Sequence, residues 1–72
     1  MTNPADRLLS RREGVARIRE VLGIPIGLSA FEKAGANGTG PRPSEKYGKT
    51  LLYRESEILA WARTLTRSVD AA

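Results

Sequence analysis

Lysine and arginine are the residues of this sequence whose type and spacing best predict a chemistry. Residues 23–54 hold only two carboxylates, Glu32 and Glu45, against five cationic side chains: Lys33, Arg42, Lys46, Lys49 and Arg54. A segment this rich in guanidinium and ammonium groups suits the binding of phosphates, and nucleic acid is the common partner. The 72-residue chain has a net charge of +4 and a pI of about 10.1. Such an excess also keeps a small protein soluble, so charge alone leaves both interpretations open.

Catalysis and metal binding have little basis in the sequence. The chain has no cysteine and no histidine, which excludes disulfides, thiolate metal sites and the commonest general base. Glu55 and Glu57 form a carboxylate pair, but acidic residues in the first turn of a helix also suit its dipole. The tripeptide Gly-Lys-Thr at 48–50 resembles the end of a Walker A loop, yet Pro43 occupies the position of the required glycine. We therefore predict a protein that is not an enzyme and that uses no cofactor or metal.

The length of the chain allows one domain at most. Seventy-two residues are near the lower limit for a core that folds without disulfides or metals. Residues 10–67 are predicted to form this domain, between flexible termini at residues 1–9 and 68–72. No apolar run approaches the length of a membrane span, and residues 1–6 are polar, unlike a signal peptide. We expect a cytoplasmic protein with no membrane partner.

A first helix is predicted between Ser10 and Gly23. Residues 10–13 read S-R-R-E, the capping-box pattern in which serine and glutamate satisfy free amide groups at a helix start. Gly23 is a natural stop, and the apolar residues between keep helical spacing: Val15, Ile18, Val21 and Leu22. Arg17 and Arg19 are expected on a solvated face. Glycine inside a helix costs roughly 1 kcal/mol relative to alanine, so Gly14→Ala is expected to stabilise the protein.

A second, short helix is predicted over Leu28 to Ala34, after a turn at residues 24–27 where proline interrupts the first. Phe31 and Ala34 mark its inward face, which leaves four residues outward: Leu28, Ser29, Glu32 and Lys33. Two helices joined by a short glycine-bearing turn form a helix-turn-helix, whose second helix is placed for the major groove of DNA. Residues 35–43 are predicted to be a loop.

Residues 38–61 are predicted to form a β-hairpin that leads directly into a third helix. Gly48-Lys49 supplies a tight turn between strand-like apolar positions: Tyr47, Leu51 and Tyr53. The helix carries an apolar stripe with Trp61 in the core: Ile58, Trp61, Ala62 and Leu65. A basic hairpin between short helices is the layout of a winged helix. We therefore predict an α+β fold, a small winged helix-turn-helix with two short helices, a β-hairpin wing and a C-terminal helix.

Several short segments carry a family resemblance through their order and spacing. They read L-G-I-P-I at 22–26, F-E-K at 31–33, G-T-G-P-R at 38–42, K-Y-G-K at 46–49 and L-L-Y-R-E-S-E-I-L-A-W at 51–61. Together they resemble the excisionase-like, MerR-type winged helix-turn-helix domains of phage and prophage regulators. From Tyr53 onward the last segment fits the family's form of tyrosine, arginine, any residue, serine, acidic, aliphatic, any residue, alanine and tryptophan. The resemblance covers about residues 8–65.

The resemblance implies a domain that binds double-stranded DNA, with the second helix in the major groove and the hairpin wing on the backbone or in the minor groove. Carried over position by position, it places three residues on the DNA-reading face of the second helix: Leu28, Ser29 and Lys33. On or beside the wing it places Arg42, Lys46, Lys49, Thr50 and Arg54. Arg11 or Arg12, at the start of the first helix, adds a contact to the DNA backbone.

The role implied is that of a mobile-element transcriptional regulator or an excisionase that directs site-specific recombination. Because so small a domain has a limited footprint, we expect a dimer or a cooperative array on DNA, and a recombinase or other protein as a further partner. Localisation would then be to the nucleoid when DNA is bound. The alternative is a protein-interaction adaptor with the same fold, which the donor-poor pair Leu28-Ser29 and an outward Leu52 favour.

Overall fold

Three helices and three strands follow one another along residues 6–69, the part of the chain that this computed structural model describes. Their order is β1 (Leu8–Leu9), α1 (Arg11–Leu22), α2 (Leu28–Asn37), β2 (Glu45–Tyr47), β3 (Thr50–Arg54) and α3 (Glu55–Arg63). The predicted α+β class is therefore confirmed. The helices pack on one another and on an antiparallel sheet with the strand order β1-β3-β2.

The bounds of α1 agree with the sequence prediction because both ends are determined locally. The Glu13 amide donates to Ser10 Oγ at 3.2 Å, and the Ser10 amide donates to Glu13 Oε1 at 2.9 Å. This capping box satisfies amide groups that have no partner in the first turn, and the Ser10 amide lowers the pKa of the Glu13 carboxyl. At the other end Gly23 is left-handed, with φ of 71°, and its amide bonds to the Arg19 carbonyl.

Gly14 of α1 lies against Ile58 of α3. A Cβ atom added to Gly14 would stand 2.8 Å from Cδ1 of Ile58, and both residues are buried. That separation is below normal van der Waals contact, so an alanine requires Ile58 to move. The effect of Gly14→Ala on stability therefore depends on this contact as well as on helix propensity, which was the only basis for expecting the substitution to stabilise the protein.

The second helix is longer than predicted. It begins after Gly27, runs through Gly35 and ends at Asn37, where Gly38 is left-handed with φ of 75°. The amides of Thr39 and Gly40 both donate to the Ala34 carbonyl, at 2.9 and 3.1 Å, and this capping makes Gly38 rather than Gly35 the stop. The predicted loop thus starts only after residue 37. Leu28, expected to face outward, is half-buried and packs against the core.

The predicted hairpin is present, with Tyr47 paired to Thr50 across the turn at Gly48-Lys49. Within the described residues only glycines have positive φ, and Gly48 has φ of 60°. A positive φ at the first turn position alone is the pattern of a type II′ turn, which follows the natural twist of a hairpin.

A third strand, β1, adds the N-terminal segment to the hairpin. Leu9 pairs with Tyr53 and is 3% exposed. The Asp6 carboxylate accepts from the Ser56 amide at 2.8 Å, which lowers its pKa. Residues 6–9, expected in a flexible N-terminus, are held in the fold by these contacts, because the first turn of α3 and the edge of β3 both need partners. Residues 1–5 and 70–72 of the predicted flexible ends lie outside the described part.

The core lies between the helices and the inner face of the sheet. Its buried apolar residues are Leu9, Val15, Ile18, Ile26, Phe31, Tyr53, Ile58 and Ala62. Phe31 meets Tyr53 and Trp61 edge to face, with ring centroids 5.4 and 5.5 Å apart. Trp61 is only partly buried, and its indole N–H donates to the Thr39 carbonyl at 2.8 Å. Val21 and Leu65, predicted on the apolar stripes, are 44% and 45% exposed, and Leu65 lies beyond the end of α3.

An ion pair that the sequence did not predict joins α1 to α3. Glu55 is 5% exposed and accepts a hydrogen bond from the Arg17 guanidinium, which also contacts Glu20. The Glu55 carboxylate raises the pKa of Arg17 above its ordinary value. Arg17 is thus half-buried and engaged rather than solvated, because its side chain neutralises a carboxylate that the fold removes from water.

Candidate nucleic-acid interface

A groove of about 340 Å³ separates the start of α1 and α2 from the tip of the hairpin. We call it the basic groove; its lining residues are Ser10, Arg11, Arg12, Leu28, Glu32, Lys49, Thr50 and Leu51. Arg11, Arg12 and Lys49 come from segments far apart in the sequence, and the fold brings them to one surface. Three cations against one carboxylate give this surface a positive balance, which attracts anions.

Each of the three cations is carried by a well-defined piece of backbone. Arg11 and Arg12 are the first two residues of α1, directly after the capped Ser10. Lys49 lies in the two-residue turn of the hairpin, whose strands are held in register by backbone hydrogen bonds. The side chains of all three are exposed, so their charged groups can meet a ligand while the backbone beneath them stays in place.

A second concavity of about 490 Å³, which we call the loop groove, lies between the C-terminal half of α2 and the loop that follows it. It is lined by Arg11, Phe31, Glu32, Gly35, Ala36, Gly38, Gly40, Pro41, Arg42, Pro43, Leu51 and Tyr53. It shares Arg11, Glu32 and Leu51 with the basic groove, so the two grooves adjoin. The loop packs closely on α2, since a Cβ at Gly40 would stand 3.2 Å from the Ala34 Cβ. Arg42 lines the loop groove and so lies beside the basic groove that adjoins it.

Glu32 links the two helices within this surface. Its Oε2 lies 3.4 Å from Nη1 of Arg11, and the two side chains are 47% and 45% exposed. Exposed pairs of this kind are screened by water and contribute little to stability. Glu32 was not predicted as a site residue, although its i, i+4 spacing from Leu28 places both on one face of α2.

The remaining predicted residues lie outside both grooves. Ser29 and Lys33 are exposed on α2, and Lys46 is exposed on β2. Arg54 is at the end of β3 far from the turn, half-buried, with its guanidinium 4.0 Å from the Asp6 carboxylate. The structure therefore gathers Arg11, Arg12, Leu28, Lys49 and Thr50 around one groove and sets Arg42 next to it. Arg54 does not join them.

No family model, curated protein or solved structure matches the chain. Within residues 6–69, no helix is long and apolar enough to cross a membrane. The same part of the chain contains no group of three or more acidic side chains placed to hold a metal ion. The features that bear on function are therefore the geometry and charge of the two grooves and the motifs of the sequence.

Proposed function

We propose that this chain is a winged helix-turn-helix protein that binds double-stranded DNA and catalyses no reaction. The observation that carries the proposal is the convergence of Arg11, Arg12 and Lys49 on the basic groove. The order of elements supports it as well, since α2 follows α1 after a five-residue turn and a basic hairpin precedes α3. The likeness of the motifs to excisionase-like, MerR-type domains favours a mobile-element regulator of transcription or an excisionase.

The docking that fits this arrangement has α2 in the major groove. A ten-residue helix is about 15 Å long, and the major groove admits a helix. The hairpin then reaches the adjacent minor groove or its edge. A sugar-phosphate strand always separates a major groove from the neighbouring minor groove, so in this docking it passes between α2 and the hairpin. That path is the basic groove, where Arg11, Arg12 and Lys49 contact phosphates.

Base contacts in this docking come from the exposed side of α2. Ser29 and Lys33 are polar and exposed there, and Lys33 suits the O6 and N7 acceptors of guanine. Leu28 lines the groove and suits contact with a thymine methyl group. Arg42 and Lys46 extend the positive surface toward neighbouring phosphates. Arg54 is left out, because Asp6 already engages it.

The experiment is a salt titration with a fluorescently labelled duplex of arbitrary sequence. Each phosphate that a cation neutralises adds about −0.9 to the slope of log affinity against log salt. Contacts by Arg12 and Lys49 therefore predict a slope of about −2, which becomes about −3 where Arg11 leaves Glu32 for a phosphate as well. Indifference to duplex at low salt and high protein concentration would refute the proposal.

A second candidate is a protein-interaction adaptor, which the loop groove favours. Phe31, Leu51, Tyr53, Pro41 and Pro43 all contribute to its lining, and an apolar lining suits a protein side chain better than a phosphate. This candidate predicts no salt-dependent affinity for duplex. The same titration therefore separates the two functions.

A further inference from the structure

Glu32 is the one carboxylate that lines the basic groove, and the proposed docking gives it an unfavourable position. The sugar-phosphate strand that meets Arg11, Arg12 and Lys49 would also pass Glu32. A carboxylate next to a phosphate is repelled, and like charges brought together oppose binding. Without DNA, Glu32 is held by Arg11 at 3.4 Å.

When DNA is present, Glu32 and a DNA phosphate compete for the guanidinium of Arg11. Its pair with Glu32 is half-exposed, so water screens it and the guanidinium can turn to a phosphate at small cost. Arg11 also lines both grooves, which places it beside the path of the strand. When Arg11 turns away, Glu32 is left without its cation.

A carboxylate freed in this way needs a hydrogen-bond donor, and the edges of the bases supply one. In the major groove the 4-amino group of cytosine donates to glutamate, whereas guanine offers acceptors only and the 6-amino group of adenine lies beside the N7 acceptor, which repels a carboxylate. Glu32 lies on α2 one turn from Leu28, on the side that faces the groove. A duplex with a cytosine amino group at this position therefore donates a hydrogen bond to the Glu32 carboxylate, and other duplexes leave the carboxylate without a partner.

We infer that Glu32 determines specificity: it competes with DNA phosphate for Arg11, and it accepts a hydrogen bond from a cytosine amino group when Arg11 moves to the backbone. This inference rests on the proposed DNA-binding function. Its consequence is that Glu32 weakens binding to arbitrary sequences more than binding to a preferred one.

The first test is a salt titration of Glu32→Gln on an arbitrary duplex. The substitution keeps the shape of the side chain and frees Arg11. One further phosphate contact should make the slope steeper by about one unit and raise affinity about five- to ten-fold at about 0.1 M salt. Adding Arg11→Ala should return the slope to its wild-type value. Glu57→Gln is the matched control, since Glu57 is exposed on α3 and lines neither groove.

The second test is a selection of bound sequences from random duplexes by the wild type and by Glu32→Ala. Cytosine should be enriched at one position by the wild type and lost there in the variant. The inference would be overturned if the salt slopes of Glu32→Gln and Glu57→Gln were equal, or if Glu32→Ala enriched cytosine as the wild type does. Neither result would contradict the proposed function as long as the wild type binds duplex. If the wild type binds no duplex at low salt, the proposed function fails and the inference with it.

Discussion

Replacing Gly14 by alanine should destabilise the domain, although the change favours the helix. Alanine gains about 1 kcal/mol over glycine inside a helix. Against this, the new Cβ would stand 2.8 Å from Cδ1 of Ile58, which is fully buried. Forcing an extra methyl group into a packed core typically costs about 1–3 kcal/mol. We expect a net loss of about 1 kcal/mol in the free energy of unfolding, measured by urea titration.

A double-mutant cycle isolates this contact, because Ile58→Val removes the clashing Cδ1 atom. The other Ile58 atoms near the added Cβ lie at 3.7 and 3.8 Å, which is ordinary contact. In the Ile58→Val background Gly14→Ala should therefore stabilise by up to about 1 kcal/mol, a coupling of about 2 kcal/mol. Gly35→Ala is the control, since nothing lies within 4 Å of an added Cβ there. Equal effects of Gly14→Ala in both backgrounds would refute the packing argument.

Three other changes test the fold and the α2 surface. Hydrogen bonds from amides lower the pKa of Asp6 and Glu13 below the ordinary 3.8 and 4.5. The stabilisation from these two carboxylates is complete above the ordinary pKa values and is lost as pH falls through the lowered pKa values of the folded protein. The double substitution Asp6→Asn with Glu13→Gln should therefore make the free energy of unfolding less dependent on pH in the acid range. Trp61→Phe should cost about 1 kcal/mol, because it loses the hydrogen bond to Thr39; an unchanged urea midpoint would count against that bond. Lys33→Ala should remove about 1–3 kcal/mol of preference at one base pair, seen by titrating preferred and altered duplexes, and equal weakening on both would make Lys33 a phosphate contact.

The features that were predicted correctly are encoded in residues next to one another. Ser10 and Glu13 cap α1 across one turn, and Gly48-Lys49 closes the hairpin between adjacent strands. These patterns need no knowledge of the rest of the fold. The end of α2 was predicted too early because Gly35 and Gly38 are both plausible stops, and later amides that bond to the Ala34 carbonyl decide between them.

The features that were missed depend on partners far away in the sequence. Arg17 and Glu55 are 38 positions apart, and no local pattern pairs them. Leu9 becomes a strand residue only because Tyr53 offers it an edge. The candidate site shows the same division: its cations could be predicted from the sequence, but the pairing of Glu32 with Arg11 across two helices could not.

Binding of Lys49→Ala to an arbitrary duplex, over a range of salt concentrations, tests the central claim most directly. Lys49 is exposed at the hairpin tip and lines the basic groove. Replacing Lys49 should leave the fold intact, lower affinity and make the salt slope shallower by about one unit compared with the wild type. If Lys49→Ala kept the affinity and the salt slope of the wild type, the claim that DNA contacts the basic groove would be contradicted.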